Sequence, residues 1–145
     1  MIFTKGDIFD VKAGIICQQV NCMGKMGAGI ALAIRNKWPV VYQDYIKAYK
    51  NGQLVPGVVI LSAVDHHNRL YVASLCGQLH YGRNGRYTIY MAVEQCLSKI
   101  AIFNKENLSV YIPYGMSCGL AGGDWAIISE MISRILPNAI VVDNN

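Results

Sequence analysis

Two short stretches of this chain concentrate the residues that can do chemistry: VNCMGKMGAGIALAI, Val20 to Ile34, and PYGMSCGLAGGDW, Pro113 to Trp125. Each joins an apolar run to an amphipathic one through glycines and small residues. Backbone N–H groups left uncovered by side chains, at the start of a helix whose dipole is positive there, attract anions. Two such loops facing each other suit a diphosphate. The first loop runs Gly24, Gly27, Gly29, a G-x-x-G-x-G order that differs from the G-x-G-x-x-G of dinucleotide folds. It is no P-loop either, because Gly24-Lys25 is followed by Met26. Glycines in these places also serve plain helix-to-strand packing.

Other reactive side chains are sparse. Cys22, Ser117 and Cys118 stand in the loops with no histidine or carboxylate paired to them by spacing, so the thiols are expected to pack. The five cysteines are odd in number and form no C-x-x-C, which suits reduced thiols in a cytoplasm. His66, His67 and His80 are spread over two loops and read as surface residues, so neither a metal nor a cofactor is expected. Asp124 reads as the cap of a helix, Trp125 as core, and Asp7 as either a turn cap or a ligand contact. Asn21 ends an apolar strand, where its amide needs partners; a loop of small residues offers few, which favours a bound ligand.

The elements that must position these residues follow from periodicity. Apolar and β-branched runs predict strands over 1–9, 14–20, 58–64, 69–75, 109–113 and 139–143. The DHHN between the third and fourth, Asp65 to Asn68, predicts an antiparallel hairpin. Helical spacing predicts helices over 29–37, 40–50, 88–103 and 126–136, with Val41, Tyr45 and Ala48 inward on the second. Alternating strands and helices imply an α/β fold: a three-layer sandwich with a mixed, mostly parallel sheet of about six strands and helices on both faces. No linker or repeat interrupts the pattern, so residues 1–145 are expected to form one domain. Hydrophobic residues make up 53% and charged ones 15%, yet no apolar run reaches the roughly 20 residues of a membrane span. A formal charge of +4 without a Lys/Arg cluster favours a small anionic partner over a nucleic-acid backbone, and no membrane partner is expected.

The combination of GDIF (Gly6 to Phe9), VNC (Val20 to Cys22), MGAGIALAI (Met26 to Ile34) and CGLAGGDW (Cys118 to Trp125) resembles the macrodomain family, modules that bind ADP-ribose and its derivatives. The likeness is strongest toward the branch of the terminal ADP-ribose protein glycohydrolase and the yeast ADP-ribose 1″-phosphate phosphatase. It implies that Asp7 accepts a hydrogen bond from the adenine amino group, with Ile8 beside the ring, and that Asn21 contacts the distal ribose. Gly27, Ala28, Gly29 and Ile30 would lie beside that ribose and the phosphates, and Ser117, Cys118, Gly119, Leu120, Ala121 and Gly122 would form the diphosphate loop. The implied partner is ADP-ribose or a derivative, including an ADP-ribosylated protein or nucleic acid.

The chain departs from the glycohydrolase pattern, in which a lysine near the end of the middle strand links to the ribose and an acid in the diphosphate loop acts on it. VASLCGQ, Val72 to Gln78, holds no lysine, and Ala121 takes the acid's place. A Schiff-base route needs that amine. Hydrolysis of an ADP-ribose 1″-phosphate or an ADP-ribosyl linkage stays open, with Asn21 the best candidate for positioning water. The segment Gly77 to Tyr90, with Tyr81, Arg83, Arg86 and Tyr87, is either a specificity loop or a solvated connection. The alternative function is a nucleic-acid-binding α/β domain without catalysis, distinguished by steep salt dependence.

Overall fold

The computed structural model describes residues 1–145. In chain order the elements are β1 (Ile2–Lys5), a 3-10 turn (Ile8–Asp10), β2 (Gly14–Val20), α1 (Gly29–Lys37), α2 (Pro39–Lys50), β3 (Val59–Asp65) and β4 (Leu70–Cys76). Then come α3 (Tyr90–Phe103), β5 (Val110–Pro113), α4 (Trp125–Ile135) and β6 (Ile140–Asp143). The six strands form one sheet in the order β1-β6-β5-β2-β4-β3. Only the β3–β4 hairpin is antiparallel; the other four pairings are parallel. No helix is long and apolar enough to cross a membrane.

β2 is flanked by β4 and β5, and its GIICQQV is almost wholly buried, as a strand covered on both faces must be. Its alternate residues feed two cores. Ile16 and Val20 join Ile34, Val41, Tyr45 and Ala48 under α1 and α2, whereas Ile15 and Cys17 join Val93, Leu97, Ile128 and Ile132 under α3 and α4. Because β2 and β5 are parallel neighbours, the loops that leave their carboxyl ends emerge side by side. That adjacency brings together two stretches about ninety residues apart in the sequence.

Three expectations are corrected. β1 ends at Lys5 rather than running to residue 9, because the Asp7 carboxylate accepts from the Phe9 N–H (2.9 Å) and starts the 3-10 turn. α3 begins at Tyr90 rather than Thr88: the Thr88 N–H is spent on the Ala121 carbonyl and its hydroxyl on that of Ser117, leaving Ile89, 38% exposed, as the capping residue. Trp125 is half-buried, its ring 5.0 Å from that of Tyr114 and inclined to it by 51°, rather than core. Asp124 caps α4 as expected, accepting from the Ala126 N–H at 2.9 Å.

The α1/α2 side of the sheet carries buried polar groups. Gln18 donates to the Ser74 hydroxyl (3.0 Å), while the Ser62 hydroxyl is buried without a partner. An unpaired buried hydroxyl costs roughly 1–3 kcal/mol. Ser62→Ala should therefore raise stability by about 1 kcal/mol in urea denaturation; a loss of stability would mean that the hydroxyl is bonded after all.

Candidate functional site

Across the carboxyl ends of β1, β6, β5, β2 and β4 runs a crevice of about 960 Å³. Its first wall is the loop after β2, held by one asparagine and one tyrosine. Asn21 Nδ2 donates to the Lys25 carbonyl (2.8 Å), while its Oδ1 accepts from the Met23 N–H (2.9 Å) and lies 2.8 Å from the Tyr45 hydroxyl. That hydroxyl also lies 2.6 Å from the Asn21 carbonyl and accepts from the N–H groups of Gly24 (3.1 Å) and Lys25 (3.2 Å). The Asn21 amide thus finds its partners inside the protein, contrary to the expectation of few. Of the three glycines in this loop, Gly24 is a packing device, because a Cβ there would sit 2.9 Å from the Tyr49 ring. A Cβ on Gly27 or Gly29 would meet nothing within 4 Å; both face open crevice.

The second wall is the loop after β5, and a closed ring of side-chain bonds ties it to the first. Gln19 Nε2 donates to the Thr88 hydroxyl (2.9 Å), Thr88 donates to the Ser117 carbonyl (2.6 Å), and the Ser117 hydroxyl donates to Gln19 Oε1. Gln19 Nε2 also donates to Gln78 Oε1 (2.9 Å). Ser117 itself has φ +74°, a left-handed conformation uncommon outside glycine, and these bonds hold it there. Gly122, also at φ +74°, lets the segment Gly77 to Ile89 lie close: a Cβ there would come within 2.4 Å of the Gly85 carbonyl oxygen. The Tyr87 and Thr88 N–H groups both donate to the Ala121 carbonyl (2.7 and 3.0 Å). Gly77 to Ile89 is therefore a third wall rather than a free connection.

Of the residues expected at a site, Asp7, Ile8, Asn21, Gly27, Ala28, Gly29, Ile30, Ser117, Gly119, Leu120 and Ala121 line the crevice together. Cys118 and Gly122 do not: the Cys118 thiol turns back to the Met116 carbonyl (3.3 Å), and Gly122 is occupied by the third wall. Asp7 keeps its second carboxylate oxygen unbonded in the protein, so capping and ligand contact are compatible there. Gln19 and Asp143 also line the crevice from outside the stretches singled out in the sequence, and Lys25, Gln78 and Tyr114 line it from within them. Gln18 and Gln19 inside an otherwise apolar strand were the available signal. No group of three His, Cys, Asp or Glu side chains could hold a metal.

The thiols behave as packing groups. Burial pushes Cys17 and Cys96 up to about 12 and Cys118 up to about 11, with Asp124 adding to the last, and it raises Cys22 as well. No nucleophilic thiolate stands in the crevice at neutral pH. Groups raised in the folded state stabilise it fully below their unfolded value of 9.0 and lose that contribution as pH climbs through the folded values. Stability should therefore fall between about pH 9 and 12, and fall less in Cys17→Ala measured against its own neutral-pH value. Thermal melts across that range check it.

The Macro domain family model matches residues 17–132, most of the chain. The chain belongs to the Macro domain family. A Bacteroides thetaiotaomicron protein of unknown function superposes on this macrodomain with a TM-score of 0.88 at 30% identity, over 99% of this chain and 97% of that one. The macrodomain of Mycobacterium tuberculosis DarG shares the fold at TM-score 0.82 and 21% identity, covering 99% and 97%. Thermosipho africanus DarTG, solved in complex with ADP-ribose, shares it at TM-score 0.80 and 22% identity, over 99% of this chain and 42% of that one. A Mycobacterium tuberculosis protein named DNA ADP-ribosyl glycohydrolase is 34% identical over 55 residues, which is 38% of the macrodomain and 16% of that relative's length. The chain thus matches only a small part of such curated relatives.

Proposed function

We propose that this protein binds ADP-ribose or an ADP-ribose derivative in the crevice between the two glycine-rich loops. The observation that carries the reading is the open wall at Gly27 and Gly29, facing the loop of Ser117 to Ala121 in a macrodomain. The Thermosipho africanus complex with ADP-ribose supports it. In this reading Asp7 and Ile8 take the adenine, the backbone N–H groups of 27–30, 117 and 119–121 take the diphosphate, and Asn21 and Gln78 border the distal ribose. The glycines and small residues of both loops leave the diphosphate fixed by backbone dipoles rather than by bulk charge.

A hydrolytic reading is favoured by the name of the curated glycohydrolase relative. Between Val72 and Gln78 there is no lysine, and of the crevice's carboxylates Asp7 follows β1 and Asp143 ends β6, neither of them at β2 or β4. Turnover in this chain then rests on a water oriented by amides and on electrostatic stabilisation, for an ADP-ribose 1″-phosphate or an ADP-ribosyl linkage. Calorimetric titration of ADP-ribose, followed by a product assay in the same sample, tests both. Micromolar affinity, near −8 kcal/mol, without product makes the protein a reader; with product, a hydrolase. Absence of binding sinks the proposal, and affinity that collapses with salt for any oligonucleotide favours the nucleic-acid alternative.

A further inference from the structure

The two edges of the sheet are finished differently. β3, at one edge, carries a register shift between Ala63 and Asp65 and ends on a carboxylate, devices that spoil an edge for further pairing. β1, at the other, has neither bulge nor proline, and all four of its residues are exposed, Ile2 by 59% and Phe3 by 56%. Successive side chains of a strand point to opposite faces, so an apolar group stands uncovered on each face of this edge.

The backbone of β1 is half used. The Ile2 and Gly6 N–H groups donate to the Ala139 and Asp143 carbonyls (2.9 Å each). That sets the alternation: residues 2, 4 and 6 turn their peptide groups toward β6, and Phe3 and Lys5 turn theirs outward. Two outward residues separated by one are self-complementary about the residue between them. When a second copy lies antiparallel with the two-fold axis at Thr4, Phe3 exchanges a pair of backbone hydrogen bonds with Lys5 of that copy, and Lys5 exchanges a pair with its Phe3.

The side chains fit the same register. Each ammonium lies beside a phenylalanine ring instead of another ammonium, and threonine meets threonine. Ile2 meets Gly6, which has no side chain and around which a Cβ would find nothing within 4 Å. Centring the pair on Lys5 would set the two ammonium groups against each other.

We infer that β1 is a pairing edge for a second copy of this chain, which joins antiparallel about Thr4 so that the two six-stranded sheets become one. A strand this short covers less than the roughly 800 Å² per partner of a stable complex, so the copies associate and part instead of locking together. No residue of β1 lines the crevice, and the pairing is independent of the proposed function.

Sedimentation equilibrium of the full chain, from micromolar to millimolar concentration, should show an average mass that climbs toward twice that of one chain. A single-chain mass throughout overturns the inference. Phe3→Lys places two ammonium groups across each outward pair, and Phe3→Pro removes an N–H that β6 does not use. Each should weaken association by about tenfold or more, with thermal melts checking that the variant is folded. Unchanged association in a folded Phe3→Lys overturns the inference, because another surface would then be responsible. Cysteine variants read the register. Two Thr4→Cys residues would face each other with Cα atoms about 4.5 Å apart, a separation a disulfide spans, whereas two Ile2→Cys residues would lie about 13 Å apart along the strands. With oxidised glutathione, Thr4→Cys should give a covalent dimer that a reductant dissolves. Ile2→Cys and the unaltered protein, whose own thiols are buried or turned inward, should not. Equal cross-linking of the two cysteine variants, or none in Thr4→Cys, overturns the pairing about Thr4.

Discussion

Tyr45→Phe should lower the stability of the protein by about 2–4 kcal/mol while leaving the fold intact. The ring is fully buried and the phenylalanine ring refills its space, so no cavity opens. What is lost is the hydroxyl that accepts from Gly24 and Lys25 and reaches the Asn21 carbonyl. Buried N–H groups left without an acceptor cost roughly 1–3 kcal/mol each, and Gly24 has no other acceptor to turn to. Burial raises the phenol's pKa, so it works as a neutral hydrogen-bonding group at neutral pH. Urea unfolding with an unchanged slope and a shifted midpoint is the expected signature. ADP-ribose affinity should fall with it, since the first wall loses its fastening. A change in stability below about 0.5 kcal/mol would show that the loop holds itself.

Gly29→Val should abolish ADP-ribose binding, by about a hundredfold or more, with only a modest loss of stability. At φ +57° a β-branched side chain costs roughly 1–2 kcal/mol, yet its Cβ meets no protein atom within 4 Å. The side chain then occupies the space proposed for ribose and phosphates. Circular dichroism and a melt check the fold, and calorimetry checks the binding. Ordinary affinity in a folded variant would place the ligand elsewhere in the crevice.

The strand and helix order is legible because nearly every element carries an apolar run or an apolar face at its own period. Val41, Tyr45 and Ala48 face inward as the 3.6-residue period requires. Polar partnerships were not legible where they join distant segments. Tyr45 reads as core from its spacing, but its hydroxyl bonds a loop 20 to 24 residues earlier, and that same contact satisfies the Asn21 amide. The Gln19, Thr88 and Ser117 ring spans up to 98 residues, beyond any local pattern. Glycine composition was likewise ambiguous. Gly24 and Gly29 look alike in sequence, and only the ring of Tyr49 against one and empty space against the other separate packing from clearance. Cys118 and Gly122 fall within a loop whose neighbours line the crevice, yet the thiol bonds back to Met116 and Gly122 packs against Gly85, contacts no local pattern announces.

The division of the core by the sheet has a thermodynamic consequence. The first loop is rooted among the side chains beneath α1 and α2, through Cys22, Met26 and Ile30, and the second among those beneath α3 and α4, through Met116 and Cys118. A molecule seated in the crevice touches both roots at once, so its binding free energy is shared by two packing layers that meet elsewhere only through the strands. At a hundredfold excess over its dissociation constant such a molecule adds about 2.7 kcal/mol to global stability. That gain should appear as slowed amide exchange in α1 and α4 alike, on opposite sides of the protein, from a single occupant that contacts neither helix along most of its length.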